Sequence, residues 1–518
     1  MLRHSVAFVT VLLICAMAVS VSSQTLDESK TLVVVIGNDA ISLDPIYAGL
    51  TGMALLEQAA QPLMLVDPAT GKLMPNLATS WQASDDGKTW TFHLREGVKF
   101  HDGTAFDAEA VKRNFDRFKE PGNIPAYSYL ADPIVAVNVV DDLTVNVVTE
   151  MPFAPLLRTL ATSSFSIVSP TAIEQAGLQP NERFDTPIGT GPFTFVEWVR
   201  GEKITMARNP EYWGDGPYVG EIEFRIVPED QTRVMMVEAG QADVAMYIPA
   251  HDAKRLEGNS ELQILRLTST RPMAVTINTR LEPMNDVRVR QAINYAIDKE
   301  ALVNYVLGGA GSISQCVNLT PSVFGYWPVG SYEYDLEKAR DLMAEAGYAN
   351  GFETSLYYSP GRYASDAVVC EALQMMLQNI GITVTLMPME WAELQSILRL
   401  PLDEASVPLL LAAWMNTLYD AFDSLDPLYH SSQQPPRGSN RSFLDNPAID
   451  ALLEAARYET DEERRLELYK TIDQLLWQEV PNIMLYDDVV FDAVRANVSG
   501  LVVSPTGQVW TWGAWVEE

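Results

Sequence analysis

Thr31 to Ile36 is a short β-branched run stopped by Gly37, the pattern of a buried strand, and Leu43-Asp44-Pro45 behind it signals a turn. Trp90, Phe92 and Leu94 alternate with polar neighbours, as do Leu143, Val145 and Val147, then Ile222, Phe224 and Ile226; each alternation predicts a half-buried strand. Asp107 is placed to cap a helix whose Val111, Phe115 and Phe118 share one face, and Gly189-Thr190-Gly191-Pro192 reads as a tight loop. In the second half, Val289, Ile293, Ala296 and Ile297 mark an amphipathic helix. Asp335 caps the next one, with Leu336, Ala339, Leu342, Met343 and Ala346 inward and Gly347 closing it. A further helix ends near Ile380 at Gly381, ahead of a strand carrying Ile382, Val384 and Leu386. Leu466, Tyr469, Ile472 and Leu476 line a late helix ended by Pro481. The order of strands and helices is irregular, without repeat, low-complexity tract or flexible linker. This predicts a mixed α/β protein whose domains share chain segments.

The 518 residues imply two or three domains, and 47% hydrophobic with 20% charged residues is globular composition. A formal charge of -32 repels phosphate backbones and anionic surfaces, so no nucleic-acid partner is expected. Arg3 and His4, the apolar run Val6 to Val19 and the small or polar Ser20 to Gln24 describe a secretory signal, cleaved near Ser23. The run is shorter than the ~20 apolar residues of a spanning helix. Export leaves Cys316 and Cys370 free to pair or to sit apart as buried thiols.

Catalytic patterns are missing. No two of the five histidines have zinc-protease spacing. Gln82 stands where a phosphate loop ending at Gly87-Lys88-Thr89 needs glycine, and Gly311-Ser312-Ile313-Ser314-Gln315 lacks the last glycine of a nucleophile elbow. His101-Asp102-Gly103 reads as a turn. No cofactor is expected, and the chain is read as a non-enzyme.

Six stretches, in order, resemble one family. They are residues 73–115 (LMPNLATSWQASDDGKTWTFHLREGVKFHDGTAFDAEAVKRNF), 187–214 (PIGTGPFTFVEWVRGEKITMARNPEYWG), 286–298 (DVRVRQAINYAID), 334–347 (YDLEKARDLMAEAG), 361–382 (with GRY first and IGI last) and 466–485 (LELYKTIDQLLWQEVPNIML). They are similar to the extracytoplasmic solute-binding proteins of the peptide, nickel and glutathione class of ABC importers, most of all to the dipeptide- and glutathione-binding branches. The resemblance implies a periplasmic-binding-protein fold of type II, large cluster C variety: two α/β lobes around a cleft, with an extra domain on the first. The expected division is a signal over 1–23, lobe I over 24–60, 185–277 and 490–518, the extra domain over 61–184, and lobe II over 278–489. A monomer would capture a small peptide (oligopeptide, dipeptide or glutathione-like) and deliver it to permease subunits driven by a separate ATPase.

A peptide cleft needs a carboxylate for the amino end, a cation for the carboxyl end and apolar walls. The resemblance points to Trp414 to Pro427. Dipeptide-binding relatives carry an aspartate three residues after the tryptophan; Thr417 stands there, and Asp420 or Asp423 would substitute. Arg362 falls near a carboxylate-binding position of relatives, and Arg271 precedes a strand expected to enter the hinge. Met53 matches by register a methionine of nickel-binding relatives, and Trp391, Trp414 and Tyr419 are further candidate walls. An oligosaccharide or chelated nickel in the same fold, and a secreted hydrolase, are the competing readings.

Overall fold

The computed structural model describes residues 26–123, 125, 128–177 and 182–517; the leader expected over 1–23 lies outside them. Eleven strands form one mixed sheet. Eight of them position the cleft: β1 Asp27–Ile36, β2 Val219–Ile226, β3 Val244–Ala245, β4 Leu262–Ile277, β5 Phe352–Tyr358, β6 Ile382–Pro388, β7 Leu409–Ala413 and β8 Asn482–Arg495. β1 lies parallel to β2 and β3 in the first lobe. β5 lies parallel to β6 and β7 in the second. The long antiparallel pair β4 and β8 runs through both lobes. Leu262–Thr268 pairs with Val489–Arg495, Pro272–Thr276 pairs with Asn482–Asp487, and the register slips between Thr268 and Pro272. β4 therefore changes lobe near residues 269–272, inside the segment expected to belong wholly to lobe I.

Several separate cores fit a chain too long for one. The first lobe closes over Leu32, Val34, Ile222 and Phe224, and the second over Ile293, Leu373, Ile382 and Leu409. The extra domain has a four-stranded antiparallel sheet, ordered Ala78–Ala83, Thr89–Leu94, Thr144–Thr149, Ile134–Asp141. Trp90, Phe92, Val111 and Phe115 fill its core, with Trp81 and Trp213 packed against it. His101 to Gly103 is a turn. Cys316 and Cys370 are unpaired and buried in different cores.

The local stop and start signals hold. Asp107 accepts from the Ala110 amide at 2.8 Å and Asp335 from Lys338 at 2.9 Å, each tying up an otherwise orphaned N–H. The late helix, Glu462–Glu479, departs from its expected face. Tyr469, Ile472 and Leu476 are buried, but Leu466 is 40% exposed while Arg465 is only 4% exposed. The reason is an ion cluster. Arg465 donates to both Asp420 oxygens, at 2.6 and 2.7 Å, Tyr469 donates to the same carboxylate at 3.2 Å, and Arg158 of the extra domain stands 3.7 Å away.

That cluster joins the second lobe to the extra domain. Beside it the Ala154 amide donates to the Arg457 carbonyl at 2.9 Å, Phe153 meets Phe422 edge-on at 5.4 Å, and Leu418 is buried in the extra domain's core. Removing one partner of a buried ion pair strands the other charge, so Asp420→Ala is expected to cost about 3–5 kcal/mol. Urea unfolding of the variant measures this; a loss below about 1 kcal/mol, the level of a surface pair, contradicts it.

Candidate functional site

In open α/β sheets, ligands bind beyond the carboxyl ends of parallel strands. Here both lobes turn those ends toward one cleft. β1 runs into Gly37 and Asn38, β2 into Pro228, and β3 into Met246 and Tyr247, and all of these line a cleft of about 500 Å³. From the second lobe, β5 and β6 lead into Arg362 and Trp391, and β7 leads into Trp414 and Met415, the last of these on the cleft wall.

The candidate residues fall into three groups. Arg271 lines the main cleft where the β4–β8 register slips, and its guanidinium donates to Asp488 across the pair. Burial opposes its charge, but Asp488 outweighs burial and raises the arginine's pKa. Met53, Thr417 and Tyr419 line a side cavity of about 30 Å³, which shares Leu50 and Thr506 with the cleft. On the second lobe Arg362 stacks on Trp391, 3.6 Å from the ring centre. Arg441 stands near it and donates to Gln395 at 2.9 Å. Burial lowers the pKa of Arg441. Tyr363 opposes the shift, and Arg399 and Arg362 reinforce it. Among the described residues, no carboxylate contributes to that balance. Trp414 and Arg441 share the wall of another small cavity, where the Trp414 indole donates to the Asp423 carbonyl at 2.7 Å.

Asp420 and Asp423 do not offer their carboxylates to the cleft. Asp420 is enclosed in the ion cluster. Asp423 accepts from the Thr417 amide at 2.7 Å, its hydroxyl at 3.0 Å and the Leu418 amide at 3.4 Å, and burial pushes its pKa to about 6. Both hold the loop in shape. Thr417, standing where dipeptide-binding relatives have aspartate, is itself held by Asp423.

Two residues escaped the sequence reading, Tyr247 on the cleft wall and Glu57 on the side cavity. Tyr247 and Tyr419 both adopt φ 54, a left-handed backbone that costs a bulky side chain free energy and concentrates at functional sites. Both reach one loop: Tyr419 Oη lies 3.0 Å from Thr506 Oγ1, and a Cβ on Gly507 would sit 1.8 Å from the Tyr247 hydroxyl. Only glycine, at φ 83, fits there. The second is Glu57, which caps the C-terminal end of helix Leu50–Leu56 and lines the side cavity. Its signal was a lone charge inside the apolar run ALLEQAA. The loop predicted at Gly189 to Pro192 fixes this stretch. The Gly191 amide donates to the Ala59 carbonyl at 2.9 Å, and a Cβ there would come within 2.5 Å of the Gln58 carbonyl. Glu57 accepts from Ser163, Gln508 and Trp510, each at 2.8 Å, and burial raises its pKa to about 7.

The family described as "Bacterial extracellular solute-binding proteins, family 5 Middle" matches residues 72–436. The chain is a family 5 extracellular solute-binding protein. Glutathione-binding protein GsiB of Escherichia coli K12 is 32% identical over 480 residues, which cover 92% of this chain and 93% of the relative. The structure of HbpA2 from Haemophilus parasuis superposes with a TM-score of 0.85 at 28% identity, over 94% of this chain and all of the other (100%). DppA from Helicobacter pylori, a periplasmic binding protein in complex with the peptide STSA, gives 0.77 at 26%, over 96% and 99%. The family 5 protein thus has the two-lobed fold expected of it. No helix among its described residues is long and apolar enough to cross a membrane.

Buried acids make its stability depend on pH. Burial raises Glu57 to about 7 and Asp423, Asp487 and Asp492 to about 6, against unfolded values of about 4. A raised carboxyl binds its proton more tightly when folded. Its contribution is therefore complete below about pH 4 and is lost as pH rises through 6 to 7. The self-repulsion of a chain with formal charge -32 acts in the same direction. Calorimetry at matched ionic strength is expected to give a higher unfolding midpoint at pH 5 than at pH 8; an equal or lower midpoint at pH 5 contradicts this reading.

Proposed function

We propose that the protein captures a small peptide, of dipeptide to glutathione-like size, in the interlobe cleft and delivers it to the permease of an ABC importer powered by a separate ATPase. It works as an exported binder, without turnover. One observation carries the reading: a cleft of about 500 Å³ at the facing carboxyl ends of both lobes' parallel strands. That volume is ordinary for a small-molecule site, ~300–1,000 Å³. The neighbouring Arg362, Arg399 and Arg441 suit a ligand carboxylate, and Trp391 holds Arg362 flat. Glutathione and the peptide STSA, which relatives are named for or hold, are the first ligands to try.

Titrating the purified protein with glutathione and with Ser-Thr-Ser-Ala, followed by tryptophan fluorescence, is expected to show saturable binding. Silence toward both, together with a sugar or metal chelate retained on purification, overturns the proposal. Arg362→Gln is expected to weaken a peptide with a free carboxylate by about 10- to 100-fold, the worth of a charge-assisted hydrogen bond. It should leave the C-amidated peptide within about threefold of its affinity for the unaltered protein. Equal losses for both forms would assign Arg362 to the scaffold.

A further inference from the structure

We propose that Glu57 receives the ammonium group of the captured peptide, which seats in the side cavity at the end of helix Leu50–Leu56. This rests on the peptide reading and assigns the peptide's polarity in the cleft: amino end against the first lobe, carboxyl end toward the arginines of the second.

Glu57 is in a poor place for a merely structural carboxylate. It sits at the C-terminal end of a helix, where the backbone dipole already presents partial negative charge. It is 2% exposed. Its donors, the Ser163 hydroxyl, the Gln508 amide and the Trp510 indole, are all neutral. A carboxylate taken from water without a cation is costly to keep charged. What the position lacks is a positive charge, and the space beside it suits a small one. The cavity of about 30 Å³ exceeds the ~10–15 Å³ that one water-sized group needs, so it admits an ammonium head. It shares Leu50 and Thr506 with the cleft wall.

The other carboxylates nearby are taken. Asp420 is held by Arg465, Asp423 by the amides of its own loop, and Asp230 on the main cleft wall by Arg233. Two further ionisable groups line the side cavity. Arg158 stands 3.7 Å from Asp420, and the Tyr419 hydroxyl is engaged by Thr506. Thr417, Met53 and Tyr419 then become the walls around the ammonium.

The assignment has a protonic consequence. Burial keeps the empty site's Glu57 protonated up to about pH 7, and an ammonium needs the carboxylate. Binding therefore expels one proton below that pH. Affinity should rise toward tenfold per pH unit below pH 7 and level off above it.

The test compares glutathione and Ser-Thr-Ser-Ala with their N-acetylated forms, on the unaltered protein and on Glu57→Gln, by calorimetric titration between pH 5.5 and 8. N-acetylation is expected to cost about 10- to 100-fold on the unaltered protein, and Glu57→Gln a similar factor for the free peptides. The two losses should not multiply, because both remove one contact. The variant should also lose the pH dependence and the proton release seen as a buffer-dependent heat. The acetylated peptides test the contact on the unaltered protein, whatever the variant does to folding. If neither free peptide binds the unaltered protein, the peptide reading falls and this one with it. If the free peptides bind and N-acetylation changes affinity less than threefold, the ammonium role alone is overturned.

Discussion

The whole arrangement hangs on one pair of strands. β4 and β8 are hydrogen-bonded to each other on both sides of the cleft, so neither lobe can leave the other, and their ladder breaks where Ser269 to Arg271 passes Asp488. A ladder is stiff where its bonds are regular and bends where residues fall out of register. The break therefore concentrates flexing at the floor of the cleft. The Arg271–Asp488 pair lies at that break and keeps the two strands together where the backbone ladder does not. Every parallel strand of either lobe is ordered outward from this pair, with β3 and β1 on one side and β7 and β5 on the other. The carboxyl ends, with their open loops, consequently face across the same gap.

Charge is distributed unevenly around that gap. The protein carries a formal -32, yet on the second lobe Arg441 has Arg399 and Arg362 as its charged neighbours, and the first-lobe side holds a carboxylate with neutral donors. Elsewhere in the interior two acids are paired with bases, Asp44 with Arg117 and Asp420 with Arg465. Opposite charges left unmatched on opposite walls are what a zwitterionic ligand would complete. Each wall alone pays a desolvation cost that only a bound partner offsets.

How much of this could be read from the chain depended on the distance over which each residue acts. Asp107 and Asp335 are satisfied within three residues, so their capping was legible from spacing alone. The alternation around Phe92 fixes which face is inward because a strand has two faces and a turn at each end. Leu466 was misread because its helix turns Arg465 inward to a carboxylate 45 positions away, and periodicity holds no record of a partner that distant. Asp420 and Asp423 failed as ligand groups for the same reason. The donors that occupy them come from another helix and from backbone amides. Glu57 shows the converse. Its helix is short and apolar, and its cavity exists only once residues 163, 417 and 508 are brought around it.

The loop from Trp414 to Asp423 links ligand and closure in one element. Thr417 and Tyr419 line the side cavity, Leu418 fills the extra domain's core, and Asp420 completes the ion cluster with Arg465 and Arg158. Tyr419, in a strained backbone, also reaches Thr506 on the first lobe. A second lobe swung away would give up all of these together: an apolar contact, a buried ionic contact and a wall of the site. An open form therefore leaves Arg158 and Leu418 to water and the cavity unwalled. A ligand that fills the cavity favours the closed form by its differential contact with that wall. The ion cluster needs no ligand, so it sets how far closure already leans before one arrives. Affinity would then depend on residues such as Arg465, outside both cavity linings, through the fraction of protein already in the competent state.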